Sequence, residues 1–219
     1  MTTAIVLLCI VCVLAIGILA SPRLTQWRRD RLQQQPFPPR WQVILESNLP
    51  IYERLTSLER RRLQGHVLVF LAEKQFIGCA GLQVTDEIRI TIAATACLLL
   101  LNGQGHYFPR LRSVLVYPDA YLVNETTLSA PHIVEERQVA RWGESWTRDQ
   151  LVLAWKQVQY DSRHWRDGHN VVLHEFAHQL DQADGYAEGV PVLPDAADYP
   201  IWATVMTAAY QQLCQDVER

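Results

Sequence analysis

No internal repeat and no low-complexity tract occurs in this 219-residue chain, which excludes solenoid, collagen-like and largely disordered architectures. Apolar residues make up 49% and charged residues 20%, a balance that allows one domain-sized core. Basic side chains are scarce where most of the chain lies, because residues 41–219 hold 15 Lys and Arg against 22 Asp and Glu. A body with that deficit lacks a phosphate-neutralising face, so direct nucleic-acid binding is not expected of it. Cysteine is scarce too: five residues, an odd number without framework spacing, exclude a disulfide-stapled scaffold. Cys79, Cys97 and Cys214 are expected to be reduced and buried in a cytosolic body, while Cys9 and Cys12 stand in an apolar run that offers no further metal ligands.

Charge is missing altogether from residues 1–22, and Ala4 to Ala20 is unbroken apolar sequence. As a helix, residues 1–22 would span about 33 Å, enough to cross a bilayer. Nothing basic precedes the run, so it lacks the charged start of a cleaved signal peptide. Arg23, Arg28, Arg29, Arg31 and Arg40 follow it against Asp30 alone. The positive-inside rule then places the body in the cytoplasm. The expected organisation is a transmembrane anchor at 1–22, a basic, proline-containing linker at 23–40, and a folded domain at 41–219. That makes the chain a single-pass protein of the inner membrane, its domain cytoplasmic.

Within the body, Thr56-Ser-Leu-Glu59 has the form of a capping box, and Leu58, Leu63, Val67, Phe70 and Leu71 recur behind it at helical spacing. A helix over about 57–74 is predicted, with Glu59 to Arg62 on its solvated face. Asp86 to Leu101 is apolar on nearly every side beyond Ile90 and predicts a buried helix. Ser113 to Pro118 and Gln150 to Trp155 are β-branched or apolar runs that predict strands, and Val139 to Trp146 predicts strand and turn. A small sheet packed against helices is therefore expected, an α+β class rather than a doubly wound fold. Trp202, Val205, Met206, Ala209, Leu213 and Val217 predict a final helix.

The chemistry is concentrated in His169-Asn-Val-Val-Leu-His-Glu-Phe-Ala-His-Gln-Leu-Asp181, which contains the HExxH pattern at His174-Glu175-Phe176-Ala177-His178. Four residues of helix advance about 400°, so the imidazoles of His174 and His178 lie only about 40° apart on one face, one turn above the other. They can share one metal ion. Glu175, offset by about 100°, can reach a water beside that ion without being a ligand, the position of a general base. Zinc suits two imidazoles, a carboxylate and water, although spacing alone leaves iron, manganese and cobalt open. Asn170 is the expected N-cap, Val172, Phe176 and Leu180 form an apolar stripe, and Asp184-Gly185 supplies the stop. Asp181 lies on the histidine face near the helix end, where a carboxylate opposes the macrodipole and needs a partner. A hydrogen bond to a ligand histidine and a helix-end turn are both open to it. His66, His106, His132, His164 and His169 have no spacing that recruits them.

The residues His174 to Asp181, Asp184-Gly-Tyr-Ala-Glu-Gly-Val-Pro191, Val116-Tyr-Pro118 and Gly143-Glu-Ser-Trp146 leading into Leu151 to Trp155 resemble the Mlc titration factor A family. Its members are zinc-dependent peptidases whose catalytic core is similar to that of lethal-factor-type gluzincins. The likeness runs through most of residues 50–210. It implies a zincin-like domain in which His174 and His178 hold zinc and Glu175 is the catalytic base. It also implies a third ligand, a glutamate several dozen residues past the second histidine, with a tyrosine nearby. This sequence departs from that pattern. Downstream of His178 the glutamates are Glu188 and Glu218, and Asp198 stands 20 residues on, none in a matching context. The third ligand is therefore expected beyond residue 219, with the domain truncated at its C-terminus.

The expected function is hydrolysis of a peptide or protein substrate by a membrane-anchored zinc metallopeptidase. Leu151 to Trp155 is the nominated strand beside which substrate would lie, with an interior strand as the alternative. Two other functions stay open: a non-catalytic regulatory protein that binds a transcriptional repressor, as the resemblance implies, and an inactive truncated relative.

Overall fold

The structure is a computed structural model. It describes residues 21–102, 107–130, 133–141, 143–147, 149–185, 189–193 and 195–217. The apolar run at 4–20, and with it the expected anchor and both of its cysteines, lies outside the described residues. Among the described residues no helix is long and apolar enough to cross a membrane.

Residues 21–33 form a helix, α1, which overlaps the basic, proline-containing linker expected at 23–40. Arg29 and Gln33 have partners on the body, and that holds the segment down. Arg29 grips Glu73 with two charge-assisted bonds of 2.7 and 2.9 Å and stands 4.8 Å from the centre of the Tyr107 ring. Gln33 donates to the Tyr107 hydroxyl at 2.5 Å. The prolines at 36, 38 and 39 end this helix and start the next, α2 (Pro39–Asn48), with Pro39 in its first turn. Trp41 and Asn48 fasten α2 to Asp86, Glu87 and Thr91 at 3.0–3.1 Å.

A short α3 (Pro50–Arg54) precedes α4 (Ser57–Glu73), whose capping box is complete: Thr56 accepts from the Glu59 N–H, and Glu59 accepts from the Thr56 N–H. The central helix is α5 (Asp86–Leu98), buried at Ile88 and at every position from Ile90 to Cys97. Alanine and threonine on most of that surface let neighbouring elements approach from all sides, and Thr95 settles its hydroxyl on the Thr91 carbonyl at 2.9 Å.

Beside these helices lies a four-stranded sheet in the order β1-β2-β6-β5, from β1 (Gln75–Gly78), β2 (Ser113–Tyr117), β5 (Gly143–Thr147) and β6 (Gln150–Ala154). Strands β1, β2 and β6 are mutually parallel, and β5 runs antiparallel to β6. The class is thus mixed helix and small, mostly parallel sheet. The segment Leu151 to Trp155 is not an edge: β6 sits between β2 and β5, with Leu151 to Ala154 fully buried, and Trp155 opens α6 (Trp155–Arg163). Its unbroken apolar run marks a strand covered on both faces. The edge next to it is β5. A separate hairpin, β3 (Tyr121–Ala130) with β4 (Ile133–Arg141), joins β2 to β5.

The last two helices are α7 (Val171–Asp181) and α8 (Asp198–Val217). Helix α7 packs against α5, α6, β5 and β6, whereas α8 buries none of its residues.

Candidate metal centre

Four devices set the position of α7. At its start Asn170 accepts the Leu173 N–H at 3.0 Å, the N-cap that the sequence predicts. From α6, the fully buried carboxylate of Asp161 accepts the Val171 N–H at 2.7 Å and the Gln157 amide at 2.7 Å, and faces the His169 ring nitrogen at 3.4 Å. An acidic group there also complements the helix macrodipole. In the middle, Phe176 is fully buried and packs edge-on against Phe108 at 4.7 Å and tilted against Phe70 at 5.7 Å, between ring centres. Past the end, Arg110 donates to the Ala183 carbonyl at 3.2 Å. Gly185 follows at φ +112, where a Cβ would stand 2.8 Å from the Arg110 guanidinium. Only glycine meets both conditions without a shift.

Phe176 and Val172 face the core, so His174 and His178 turn outward and are exposed. Their Nε2 atoms lie 3.2 Å apart, with the rings nearly perpendicular at 88°. Two imidazoles that bind one tetrahedral zinc at about 2.0–2.1 Å place their nitrogens about 3.3–3.4 Å apart. The observed separation is close to that distance. Burial first, then the neighbouring His178 and His169, hold the His174 imidazole below its ordinary pKa, which keeps it in the neutral form a metal requires. Glu175 is 7% exposed, on the side of the helix that turns toward the body.

Among the described residues no group of three His, Cys, Asp or Glu could hold a metal, so no third such residue joins the histidine pair there. Asp198 opens α8 and does not join it, and Glu188 and Glu218 lie outside the described residues. Asp181 is the last residue of α7, at the helix-end turn that was one of the two readings open to it, and its buried Oδ1 has no hydrogen-bond partner among the described residues. His169 faces Asp161, His164 stacks on Tyr160, and His66 is buried against Tyr107, while His106 and His132 lie outside the described residues. Of the cysteines, Cys97 is buried, with its thiol pKa pushed up by burial, but Cys214 is exposed on α8, not buried as expected. Sequence reasoning missed Asp161. Its only signal is a carboxylate ten residues ahead of a helix start, and the α6–α7 turn that folds it back leaves no trace in hydrophobic periodicity.

Residues 24–219 match the family described as "Glucose-regulated metallo-peptidase M90". Similar curated proteins include an uncharacterized protein, slr2042, of Synechocystis sp., 45% identical over 95% of this chain and 78% of its own length. Mlc titration factor A of Escherichia fergusonii is 27% identical over 88% of this chain and 71% of its own. Mlc titration factor A of Klebsiella pneumoniae subsp. pneumoniae is 31% identical over 77% and 62%.

Proposed function

Because the chain belongs to the glucose-regulated metallopeptidase M90 family, we propose that it is a zinc-dependent peptidase with a zincin-like site on α7. The observation that carries this reading is the 3.2 Å Nε2–Nε2 separation of His174 and His178, on the helix that also bears Glu175. Zinc held there would polarise the scissile carbonyl and make water nucleophilic near neutral pH. The third protein ligand is a carboxylate outside the described residues. His174 and His178 would hold the ion through their Nε2 atoms, which face each other across 3.2 Å. Glu175, buried on the body side of α7, would take the proton of the attacking water and pass it to the departing amine nitrogen. The peptide main chain would add beside β5, the edge strand against which α7 packs.

The experiment is peptide hydrolysis and zinc content of the full chain and of Glu175→Gln. Full zinc content with hydrolysis reduced 100-fold or more is expected of the variant. Undiminished hydrolysis would remove Glu175 from the mechanism.

The names of the Mlc titration factor A relatives favour a second reading, in which this chain captures a transcriptional repressor. Repressor binding retained by Glu175→Gln, with no cleavage of any peptide by the wild type, would select it. In either reading residues 4–20 would anchor the chain to the inner membrane with its domain in the cytoplasm, since that run is apolar throughout and basic residues follow it.

A further inference from the structure

The α3 helix, the end of α6 and the loop after it enclose a cavity of about 460 Å³. Its wall carries Arg54, Arg163 and Arg166, and the only carboxylate there is Asp167, which accepts the His169 N–H at 3.1 Å. None of the three guanidinium groups has an ion-pair partner among the described residues. Arg54 and Arg163 stand in the last turns of α3 and α6, where the carbonyl end of a helix stabilises one cation each. Arg166, in the loop, has no such compensation. Three cations around one cavity repel each other, and this cluster occurs in a body with an acidic surplus.

The rest of the wall is flat and apolar. Trp165 spends its indole N–H on the Ser162 carbonyl at 2.6 Å, which fixes the ring. His164 donates Nδ1–H to the Tyr160 carbonyl at 2.7 Å and stacks on the Tyr160 ring, 4.1 Å between centres and 18° from parallel. Pro50 and Ile51 add further apolar lining. The size lies in the range of small-molecule sites, and the chemistry pairs bidentate cationic donors with stacking surfaces.

We propose that this cavity binds a small organic anion, a phosphate ester or carboxylate attached to a flat ring. The arginines hold the anionic oxygens, and the ring lies against Trp165 and the Tyr160–His164 stack. Nothing in this assignment depends on the metal centre.

The test is titration calorimetry of the full chain in detergent with phenyl phosphate, phenylacetate and inorganic phosphate, repeated with Arg163→Gln/Arg166→Gln. Saturable binding of phenyl phosphate or phenylacetate is expected, weakened about ten-fold or more in the double variant, with inorganic phosphate weaker than the ring-bearing anion. The two ring-bearing probes separate a phosphate from a carboxylate ligand. Thermal unfolding of the double variant checks that it remains folded, and the exposed single variant Arg54→Gln gives a second reading of the same effect. Three results would overturn the proposal: no saturable binding of either ring-bearing anion up to about 10 mM, equal affinity in the variants, or inorganic phosphate binding as tightly as phenyl phosphate. Binding that persists after zinc chelation separates this cavity from the HExxH site.

Discussion

The Asp161 carboxylate, fully buried on α6, accepts the Val171 N–H at 2.7 Å and so joins α6 to the first turn of the helix that carries HExxH. A buried carboxylate persists only if its oxygens are satisfied, and here Val171, Gln157 and His169 surround them. Asp161→Asn keeps the volume but removes the charge and replaces one of the two accepting oxygens with a donor, so that either the Val171 N–H or the Gln157 amide loses its acceptor. A loss of about 1–3 kcal/mol is expected. Urea unfolding of both proteins measures it, and a midpoint unchanged in the variant would show that α7 is positioned by other contacts.

Phe176, two residues from His174 and from His178, anchors the centre of α7 between Phe70 and Phe108. Phe176→Ala opens a cavity in that cluster and should cost about 3–5 kcal/mol. Phe176→Leu, which keeps most of the volume, should cost clearly less. Equal losses for the two variants in thermal unfolding would mean that shape at this position does not matter to the core.

Much of this was legible in the sequence, and for definite reasons. The capping box at Thr56 and Glu59 and the Asn170 cap are local devices, so spacing alone found them. The histidine pair was legible because helical geometry converts a four-residue interval into a shared face. The order of the strands was not: Leu151 to Ala154 is apolar because it is covered on both sides, and an edge position for it could be rejected only once β5 was seen beyond it. Residues 21–33 read as linker because their charge is basic and prolines follow. The partners that dock them, Glu73 and Tyr107, lie 44 residues past Arg29 and 74 past Gln33. Asp161 was hidden for the same reason, since a long-range hydrogen bond has no periodicity.

Lys74 is 8% exposed and donates to the carbonyls of Phe108 and Leu111 at 2.8 and 2.7 Å, with its pKa pushed down to about 8 by burial. An unfolded lysine titrates near 10.4, so between about 8 and 10.4 the unfolded chain binds more protons than the folded one. Stability attributable to Lys74 therefore rises with pH across that window and is lowest below it, where the charge is buried in full. Lys74→Met cannot show this rise. In urea unfolding at about pH 7.5 and 9.5, the wild type should gain on the order of 1–2 kcal/mol relative to the variant. An identical pH response in both proteins would place the charge of Lys74 in solvent.

The 3.2 Å separation of the His174 and His178 nitrogens makes a quantitative demand on metal binding. Two imidazoles at the bite of one ion act as a chelate, so removing either should cost far more than half of the affinity. His178→Ala and His174→Ala should each weaken zinc binding about 100-fold or more, and the double variant should lose little beyond the worse single one, because one remaining imidazole holds the ion poorly. Competition with a chromogenic chelator measures all three proteins alongside the wild type. If the two histidines instead belonged to separate sites, the losses would add, and each single variant would keep one ion at nearly unaltered affinity. That outcome would contradict a shared zinc centre on α7. With the shared centre, metal content falls from one ion to none in either single variant, while the fold is retained because both side chains are exposed and the core side of the helix is untouched.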